Sequence, residues 1–407
     1  MTSKQENKGN QTLSTQAAPY PAKEGAQKAV IDFLKKTLEQ DCFDALLIPI
    51  IVPGSNSYAW VLAKDPNLLD GANPLPPVMT IQGGRALSSM SKHGTAKLRI
   101  GAVLRPCEYR AAVELFKLKQ IHLDNISLIT IDCPGAVPLR DFHNNYEESI
   151  KNYENILKTW GDDDSIRQAC ARCNRFSLPD LDGDTASTMV DIHIGLLGGD
   201  RSQILLIPVS QKGKDDLDKL GLALDQSIES WESEVKEIKK KKTETRERLH
   251  KEFKKEISGL ENFAAIFDQC INCHNCMRVC PVCYCQQCYF DSQTQHLSPK
   301  NYLSRAESRG ALRFPLDPLR FHLGRMSHMV LSCVSCGACE DACPVSIPVG
   351  RVFSWVADET QPAFNYSAGL DMSEALPLQS FLKDEFCEVE TPSECENNKS
   401  VEVKENV

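Results

Sequence analysis

The chain has 407 residues, of which 42% are hydrophobic and 25% charged, a composition typical of a globular protein of two or three domains. Its 46 Lys and Arg residues against 55 Asp and Glu leave a formal net charge of −9, which argues against nucleic-acid binding. The longest apolar run, residues 45–52, is too short to span a membrane, and the first twenty residues are polar, so we expect a soluble cytoplasmic protein.

The first 25 residues are rich in Gln, Asn, Thr and Ser and are predicted to form a flexible leader. Helical and extended patterns then alternate over residues 26–210, which predicts an α/β domain. The predicted extended segments are residues 45–52, 58–63, 97–104, 126–132, 190–194 and 204–209. The predicted helices between them include residues 108–119, 149–159 and 165–171.

Residues 211–262 are predicted to be a charged helical linker, because apolar side chains recur three or four apart among many Lys and Glu residues. The basic stretch Lys239–Lys242 is flanked by Glu, so a solvated helix face explains it better than a nucleic-acid patch. The narrow apolar stripe fits either a helix packed on its own chain or a short coiled coil. The polar Lys242 and Thr245 at the seam favour the first.

Residues 263–357 are dense in cysteine, and residues 358–407 form a polar tail that becomes acidic and contains Cys387 and Cys395. A loosely ordered tail is expected, with four apolar side chains able to dock locally. These four are Leu376, Leu378, Phe381 and Leu382. The predicted fold class is therefore an α/β domain, a long charged helix and a mainly helical, ferredoxin-like domain.

Two runs of four cysteines carry the strongest chemical signal. Each run has gaps of two, two and three residues and ends in Cys-Pro, the spacing of bacterial ferredoxins with two [4Fe–4S] clusters. The first run is Cys270, Cys273, Cys276 and Cys280, and the second is Cys333, Cys336, Cys339 and Cys343. A zinc site would instead show paired gaps.

In this spacing the fourth cysteine of each run ligates the cluster of the other run. We therefore assign Cys343 to the cluster of the first three cysteines and Cys280 to the cluster of the second run. Residues 301–307 and 318–329 between the motifs have helical patterns, so we expect a helical variant with an insertion.

Three more cysteines, Cys283, Cys285 and Cys288, follow the first run directly. They could hold part of a further metal centre, zinc included, or be small buried hydrophobes. His274 and His296 are candidate fourth ligands by proximity alone.

The α/β domain contains a second candidate metal site. Cys107 and Cys133 each follow a predicted strand, where α/β folds place ligands, and Cys107 also opens a helix that favours a thiolate. With the pair Cys170 and Cys173 they make a plausible four-thiolate site, the alternative being that both strand-end cysteines are merely buried. Cys42 is assigned to the core.

Glycine-rich segments are the candidates for binding a phosphate. Gly83 and Gly84 precede a helix-like segment, and Gly195, Gly198 and Gly199 follow an extended one, so their amides could cradle an anion. Ordinary turns explain these glycines about as well.

In order along the chain, several segments resemble the beta subunit of coenzyme F420-reducing hydrogenase and F420-dependent formate dehydrogenase. They are Asp44–Pro49, Ile100–Glu108, Asp132–Gly135, the pair Cys170 and Cys173, and Asp191–Gly195. The resemblance covers residues 26–209 and implies an α/β flavoprotein that holds FAD beside a [4Fe–4S] cluster. It implies Cys107, Cys133, Cys170 and Cys173 as the cluster ligands and places the glycine-rich segment after Val78 near FAD.

The resemblance further implies that flavin exchanges a hydride with F420 and releases single electrons to clusters. Relatives also use other carriers, so NAD(P)H or ferredoxin is an alternative to F420. The C-terminal segment resembles helical dicluster domains of heterodisulfide-reductase and fumarate-reductase subunits, which suggests docking to a larger complex.

The leading hypothesis is thus an electron-transfer subunit of an anaerobic oxidoreductase, with a formate dehydrogenase, a hydrogenase or a heterodisulfide-reductase-like assembly as catalytic partner. The alternative is a flavin-free polyferredoxin adaptor that relays electrons and docks subunits. A metal-dependent regulator would need a nucleic-acid surface, which the charge balance does not supply.

Overall fold

The computed structural model describes residues 14–161, 163–178, 188–199, 201–292, 298–310 and 318–379. The strands are β1 (Gln16–Pro21), β2 (Ala45–Ile51), β3 (Tyr58–Ala63), β4 (Ile100–Leu104), β5 (Ile126–Ile131), β6 (Val190–Gly195), β7 (Gln203–Pro208) and β8 (Gln226–Ser227). The helices of the N-terminal half are α1 (Ala26–Glu39), α2 (Gly83–Ser91), α3 (Pro106–Lys117), α4 (Leu139–Asn144), α5 (Tyr146–Thr159), α6 (Gln168–Ala171) and α7 (Gln211–Lys219). Those that follow are α8 (Glu229–Glu256), α9 (Leu260–Ala265), α10 (Asn275–Arg278), α11 (Pro299–Arg309), α12 (Pro318–Met329), α13 (Ala338–Asp341) and α14 (Val349–Thr360).

The eight strands form one mixed sheet in the order β3-β2-β4-β5-β6-β7-β1-β8. Strands β2, β4, β5 and β6 are parallel, and the remaining pairings are antiparallel. Every residue of β4, β5 and β6 is buried, as expected for parallel strands covered on both faces. The predicted α/β architecture is therefore confirmed for the N-terminal half.

The parallel strands bring the ends of β4, β5 and β6 to one edge of the sheet. The segments that follow β4 and β5 carry Cys107 and Cys133. Ligand sites of open α/β sheets lie at this edge, so the topology provides the place that the sequence pattern predicted.

The leader predicted over residues 1–25 is wrong for its last part. Residues Gln16–Pro21 form β1, which pairs with both β7 and β8. Ala17 and Ala18 are buried in this strand. Its partners lie almost two hundred residues away, so a local pattern of polar residues gave no sign of the pairing.

The predicted charged linker is divided. Residues Gln211–Lys219 form α7, and Gly221 turns with a φ of +68° before β8. The long helix itself is α8, with 28 residues. Its buried Trp231 and Val235 belong to the sheet core, whereas Phe253 belongs to the C-terminal core. The helix therefore packs on its own chain, as the polar seam positions predicted.

The C-terminal region is mainly helical, as predicted, and α12 has the predicted bounds. Its core includes Phe253, Phe267, Phe321, Phe353 and Cys276, and five other cysteines of the ferredoxin motifs pack against it, namely Cys270, Cys280, Cys333, Cys339 and Cys343. No described helix is both long and apolar enough to cross a membrane.

Part of the predicted tail is folded. Tyr366, Ala368 and Leu376 are buried against Ala111 of α3, while Leu378 is exposed. Phe381 and Leu382, as well as Cys387 and Cys395, lie outside the described residues. Cys42 is buried in the sheet core, as predicted.

Candidate metal centres

Three elements bring four cysteines of the α/β domain together. Cys107 opens α3, Cys133 follows β5, and Cys170 and Cys173 lie in and just after α6. Burial raises the pKa of Cys133 to about 11, and the neighbouring Cys170 and Cys173 act in the same direction. Cys107 likewise has Cys133 and Cys173 among its charged neighbours. The four thiols, each half-buried, therefore form one group, here called the α/β thiol set.

A buried polar network holds the Cys133 loop in place. Asp132 has one carboxylate oxygen 3.0 Å from Nε2 of His193, and Trp231 of α8 donates to the other at 2.7 Å. The backbone amide of Cys133 donates to the carbonyl of Phe176 at 2.8 Å. Because Asp132, His193 and Trp231 are fully buried, this network fixes the strand end that carries the thiol.

Four buried arginines surround the α/β thiol set: Arg105, Arg110, Arg167 and Arg172. Atoms Nη1 of Arg167 and Nη2 of Arg172 are buried and make no hydrogen bond within the described part of the chain. Both arginines have Cys170 among their charged neighbours. Each arginine has a carboxylate partner, Asp341 for Arg167 and Glu340 for Arg172, and a [4Fe–4S] cluster held by four thiolates would be a further anion beside their unsatisfied donors. The residues present therefore fit such a cluster.

The two ferredoxin motifs fold into equivalent loops. Asn272 and His274 of the first motif have φ values of +54° and +59°, and the corresponding Ser335 and Gly337 of the second have +58° and +72°. These left-handed residues alternate with the first three cysteines, and α10 or α13 follows each loop. The same backbone turn thus occurs in both motifs and carries three thiols in each.

The neighbours of Cys276 and Cys339 agree with the prediction that the fourth cysteine of each motif joins the first three cysteines of the other. Cys276, whose pKa burial raises to about 11, has Cys270, Cys273 and Cys343 beside it. Cys339 has Cys280, Cys333 and Cys336 beside it. These two groups are called the first and second thiol sets below. Each contains three cysteines of one motif and the last cysteine of the other.

The α/β thiol set lies next to the second thiol set. Cys336 is among the charged neighbours that raise the pKa of Cys107, after burial and Glu108. Arg167 donates to the carbonyl of Cys336 at 2.6 Å and pairs with Asp341 at 3.0 Å. Arg110 donates to the carbonyl of Val334 at 3.1 Å. Arg325, which contacts Cys276 of the first set, has Cys280 and Cys339 of the second among its neighbours, so the second set is the neighbour of both other sets.

Two side chains of α12 that the sequence patterns did not single out contact the first set. Arg325 donates to Sγ of Cys276 at 3.1 Å and to its carbonyl at 3.2 Å. Nε2 of His322 lies 3.5 Å from Sγ of Cys270, and burial beside Arg325 lowers the pKa of this histidine to about 3. The only signal in the sequence was a His and an Arg three residues apart on a helix between the motifs.

The additional cysteines make sulfur contacts. Cys283 lies 3.4 Å from Sδ of Met329, Cys288 lies 3.7 Å from Sδ of Met277, and Cys285 is exposed. His274, a candidate fourth ligand, lies between Asp291 and Asn272 and stacks on a phenylalanine. His296 lies outside the described residues. Metal binding by Cys283, Cys285 and Cys288 stays a prediction.

The glycines predicted to contact flavin have packing partners. A Cβ atom on Gly83 would lie 2.6 Å from the ring of Trp60, and one on Gly84 would lie 2.9 Å from the carbonyl of Glu108. The amide of Gly83 donates to the Glu108 carboxylate at 3.1 Å. A Cβ on Gly195 would lie 3.0 Å from the ring of Trp231. These contacts supply a structural reason for each glycine, and flavin contact there stays a prediction.

The other glycines of the second segment contact α8. The amide of Gly198 donates to the carboxylate of Glu234 at 2.7 Å, and that of Gly199 to the hydroxyl of Ser230 at 3.1 Å. A carboxylate therefore occupies the position at which the glycine pattern suggested a phosphate.

Comparison with known proteins supports the assignment of the two ferredoxin motifs. Residues 266–347 match the family model of the 4Fe-4S dicluster domain. The chain is 28% identical over 380 residues to the F420-dependent formate dehydrogenase 1 subunit beta of Methanococcus maripaludis, covering 84% of this chain and 90% of that protein. It is 27% identical over 315 residues to the F420-dependent formate dehydrogenase subunit beta of Methanocaldococcus jannaschii, covering 68% and 76%.

Among solved structures, a chain of the F420-reducing [NiFe] hydrogenase complex from Methanosarcina barkeri aligns with a TM-score of 0.44 and 13% identity, covering 63% of this chain and 97% of that one. The dicluster match corresponds to two [4Fe–4S] clusters in the C-terminal region. The resemblance drawn from the motifs is confirmed: the chain is similar to the beta subunits of F420-dependent formate dehydrogenase, and its residues 266–347 match the 4Fe-4S dicluster domain.

Proposed function

We propose that the chain is an electron-transfer subunit of an oxidoreductase complex with three [4Fe–4S] clusters and FAD. It exchanges a hydride with F420 or another two-electron carrier and relays single electrons to or from a catalytic partner subunit. The observation that carries this proposal is the proximity of the α/β thiol set to the second thiol set: Arg167, a neighbour of Cys170, donates to the carbonyl of Cys336 at 2.6 Å. The three sets thus make one continuous series.

The cofactors would supply complementary chemistry, because a flavin converts two-electron into one-electron transfer and the clusters accept single electrons. The α/β thiol set would hold one cluster, and the first and second sets the other two. The relatives are named as beta subunits of F420-dependent formate dehydrogenase, which supports F420 as carrier and a formate-oxidising partner for this chain.

The residues around the thiols keep water away from them and place positive charge beside them. Burial of Cys133, Cys276 and Cys339, one from each set, limits the access of water to the three sets. Arg110, Arg167 and Arg325 place positive charge beside them. Reduction adds negative charge to a cluster, so nearby cations and hydrogen bonds to sulfur favour the reduced state.

The test is the metal and flavin content of the full chain purified without oxygen. We expect about one FAD and on the order of twelve irons. Cys107→Ser should lose about four irons and leave the C-terminal pair. Cys42→Ser is the matched control, because Cys42 is buried in the sheet core and its charged neighbours, which are Lys219, Asp216, Arg99 and Asp41, include no member of a thiol set.

Unchanged iron in Cys107→Ser would show that the α/β thiol set holds no cluster. On the order of eight irons and no flavin after reconstitution would instead support the flavin-free adaptor. Reduction of the clusters by reduced F420, compared with NAD(P)H, would identify the hydride carrier.

A further inference from the structure

One buried arginine, Arg167, lies between the α/β thiol set and the second thiol set. It immediately precedes α6, and its backbone carbonyl accepts a hydrogen bond from the amide of Cys170 at 2.8 Å. Its side chain reaches the second ferredoxin motif, where Nη2 donates to the carbonyl of Cys336 at 2.6 Å. One residue therefore contacts the segments that carry both thiol sets.

The guanidinium group of Arg167 is only partly paired. Its Nε lies 3.0 Å from a carboxylate oxygen of Asp341, and Nη2 is taken by the carbonyl of Cys336. Its Nη1 is buried and makes no hydrogen bond within the described ranges. A buried donor without a partner is costly, so an anion beside it would be stabilised. The charged neighbours of the group include Cys107, Cys170 and Cys336, which belong to the two thiol sets.

Packing holds this charge in place. Arg167 is 2% exposed, and its backbone amide donates to the carbonyl of Ala136 at 2.9 Å. A Cβ atom added to Gly337 would lie 2.7 Å from Nη2 of Arg167, so the loop of the second motif covers the guanidinium closely. A fixed charge away from water acts more strongly on its neighbours than an exposed one, because the surroundings screen it less.

The charge of Arg167 bears on how many electrons the two neighbouring sets can hold. Each cluster gains one negative charge on reduction, so reducing one of two adjacent clusters disfavours the reduction of the other. A hydride delivers two electrons, one for each cluster, while its proton is released to water. A cation between the two clusters offsets the repulsion between them when both are reduced.

We propose that Arg167 is a positive charge shared by the α/β cluster and the cluster of the second thiol set, and that it allows both to be reduced at the same time. The inference rests on the proposed function for the presence of the two clusters and on the contacts of Arg167 for its role. Arg325 contacts Cys276 of the first set, so the potential of the first-set cluster should depend on Arg325 and much less on Arg167.

The test measures the reduction potentials of all three clusters in the full chain purified without oxygen, by redox titration followed by electron paramagnetic resonance. Arg167→Met removes the charge and should make each of the two neighbouring clusters about tenfold harder to reduce, which corresponds to about 59 mV. The magnetic coupling between two reduced clusters should then appear only at lower potential. Arg167→Lys keeps the charge and should restore part of both shifts.

Asp341→Asn is the reciprocal variant. It removes the carboxylate that pairs with Arg167 and so leaves the positive charge less compensated, which should raise both potentials. This variant decides the question if Arg167→Met fails to incorporate iron.

The matched control is Arg140→Met. Arg140 also joins the α/β domain to the C-terminal region, where Nη2 donates to the carbonyl of Pro344 at 2.8 Å, but it is exposed. Because water and salt screen an exposed charge, this variant should leave the potentials of the α/β and second-set clusters unchanged.

Twelve irons with unchanged potentials in both Arg167→Met and Asp341→Asn would overturn the role of Arg167 and leave the proposed function intact. A shift confined to one of the two clusters would show that the charge is not shared. On the order of eight irons in the unchanged protein, with no flavin after reconstitution, would instead contradict the proposed function itself.

Discussion

At the scale of single residues, buried arginines contact the segments that carry the cysteines. Arg325 contacts Sγ of Cys276, and Arg167 contacts the carbonyl of Cys336. Both are buried, so their charges act through a medium of low polarity. Such contacts tune the reduction potential of an iron–sulfur cluster without binding the metal.

Arg325→Met should therefore lower the reduction potential of the cluster held by the first thiol set, because it removes both a cation and a hydrogen bond to sulfur. A tenfold change in the one-electron equilibrium corresponds to about 59 mV, and we expect a shift of this order. A redox titration followed by electron paramagnetic resonance measures it. Arg325→Lys keeps the charge and should restore part of the shift.

The control for this substitution is Arg320→Met, at an exposed position of the same helix. It should leave all potentials unchanged. Equal potentials in Arg325→Met and the unchanged protein, with full iron content, would show that Arg325 is only a packing residue.

At the scale of elements, α8 connects the two halves of the molecule. Its N-terminal end packs Trp231 and Val235 on the sheet core, and its C-terminal end packs Phe253 on the C-terminal core. Between them, the buried Lys242 donates to the carbonyl of Cys170 at 3.2 Å. The helix is charged because much of it faces solvent, whereas a few large side chains fix it at both ends.

Trp231→Ala should destabilise the protein by about 3–5 kcal/mol, since it removes a fully buried indole and leaves a cavity. Trp231→Phe keeps most of the packing and loses the hydrogen bond to Asp132, so it should cost about 1–3 kcal/mol. Denaturant unfolding of the full chain measures both free energies. If Trp231→Ala were as stable as the unchanged protein, α8 would not be anchored as described.

At the scale of the whole molecule, the α/β domain and the second ferredoxin motif share a tight interface. A Cβ atom on Gly337 would lie 2.3 Å from Cβ of Ala169, next to Cys170. Arg167 and Arg172 of the α/β domain pair with Asp341 and Glu340 across the same interface. Close approach of the two backbones keeps two thiol sets adjacent.

Gly337→Ala tests this interface. The new methyl group would force the motif loop away from α6, so we expect a lower unfolding temperature and loss of iron from the second set. Gly310→Ala is the matched control, because Gly310 also has a left-handed φ, +66°, but nothing within 4 Å of an added Cβ. Both variants pay the cost of a left-handed alanine, about 1–2 kcal/mol.

Only Gly337→Ala should change iron content and slow electron exchange between the sets, measured by rapid freezing and electron paramagnetic resonance. Equal losses in the two variants would mean that backbone conformation, and not the contact with Ala169, matters at residue 337.

Much of this molecule could be predicted from local patterns. Strands β2 to β7 lie close to the predicted segments. For β2, β4, β5 and β6 the reason is that buried parallel strands are short apolar runs. The ferredoxin motifs could be recognised because the spacing of their cysteines is itself the requirement for binding a cluster. Strand β1 was missed because its pairing with β7 depends on residues far away in the chain.

By itself the sequence determined the chemistry: which cysteines form loops for clusters, which segments become strands or helices, and that the chain resembles an electron-transfer subunit. The tertiary structure decided which residues and which cavity lie beside the cysteines. It placed Cys107 next to Cys336, surrounded the thiol sets with buried arginines and opened a cavity between Cys173 and Cys333. The physical reason is that cluster spacing is a local property of the chain, whereas distances between sets, buried charges and cavities arise only where distant segments pack together.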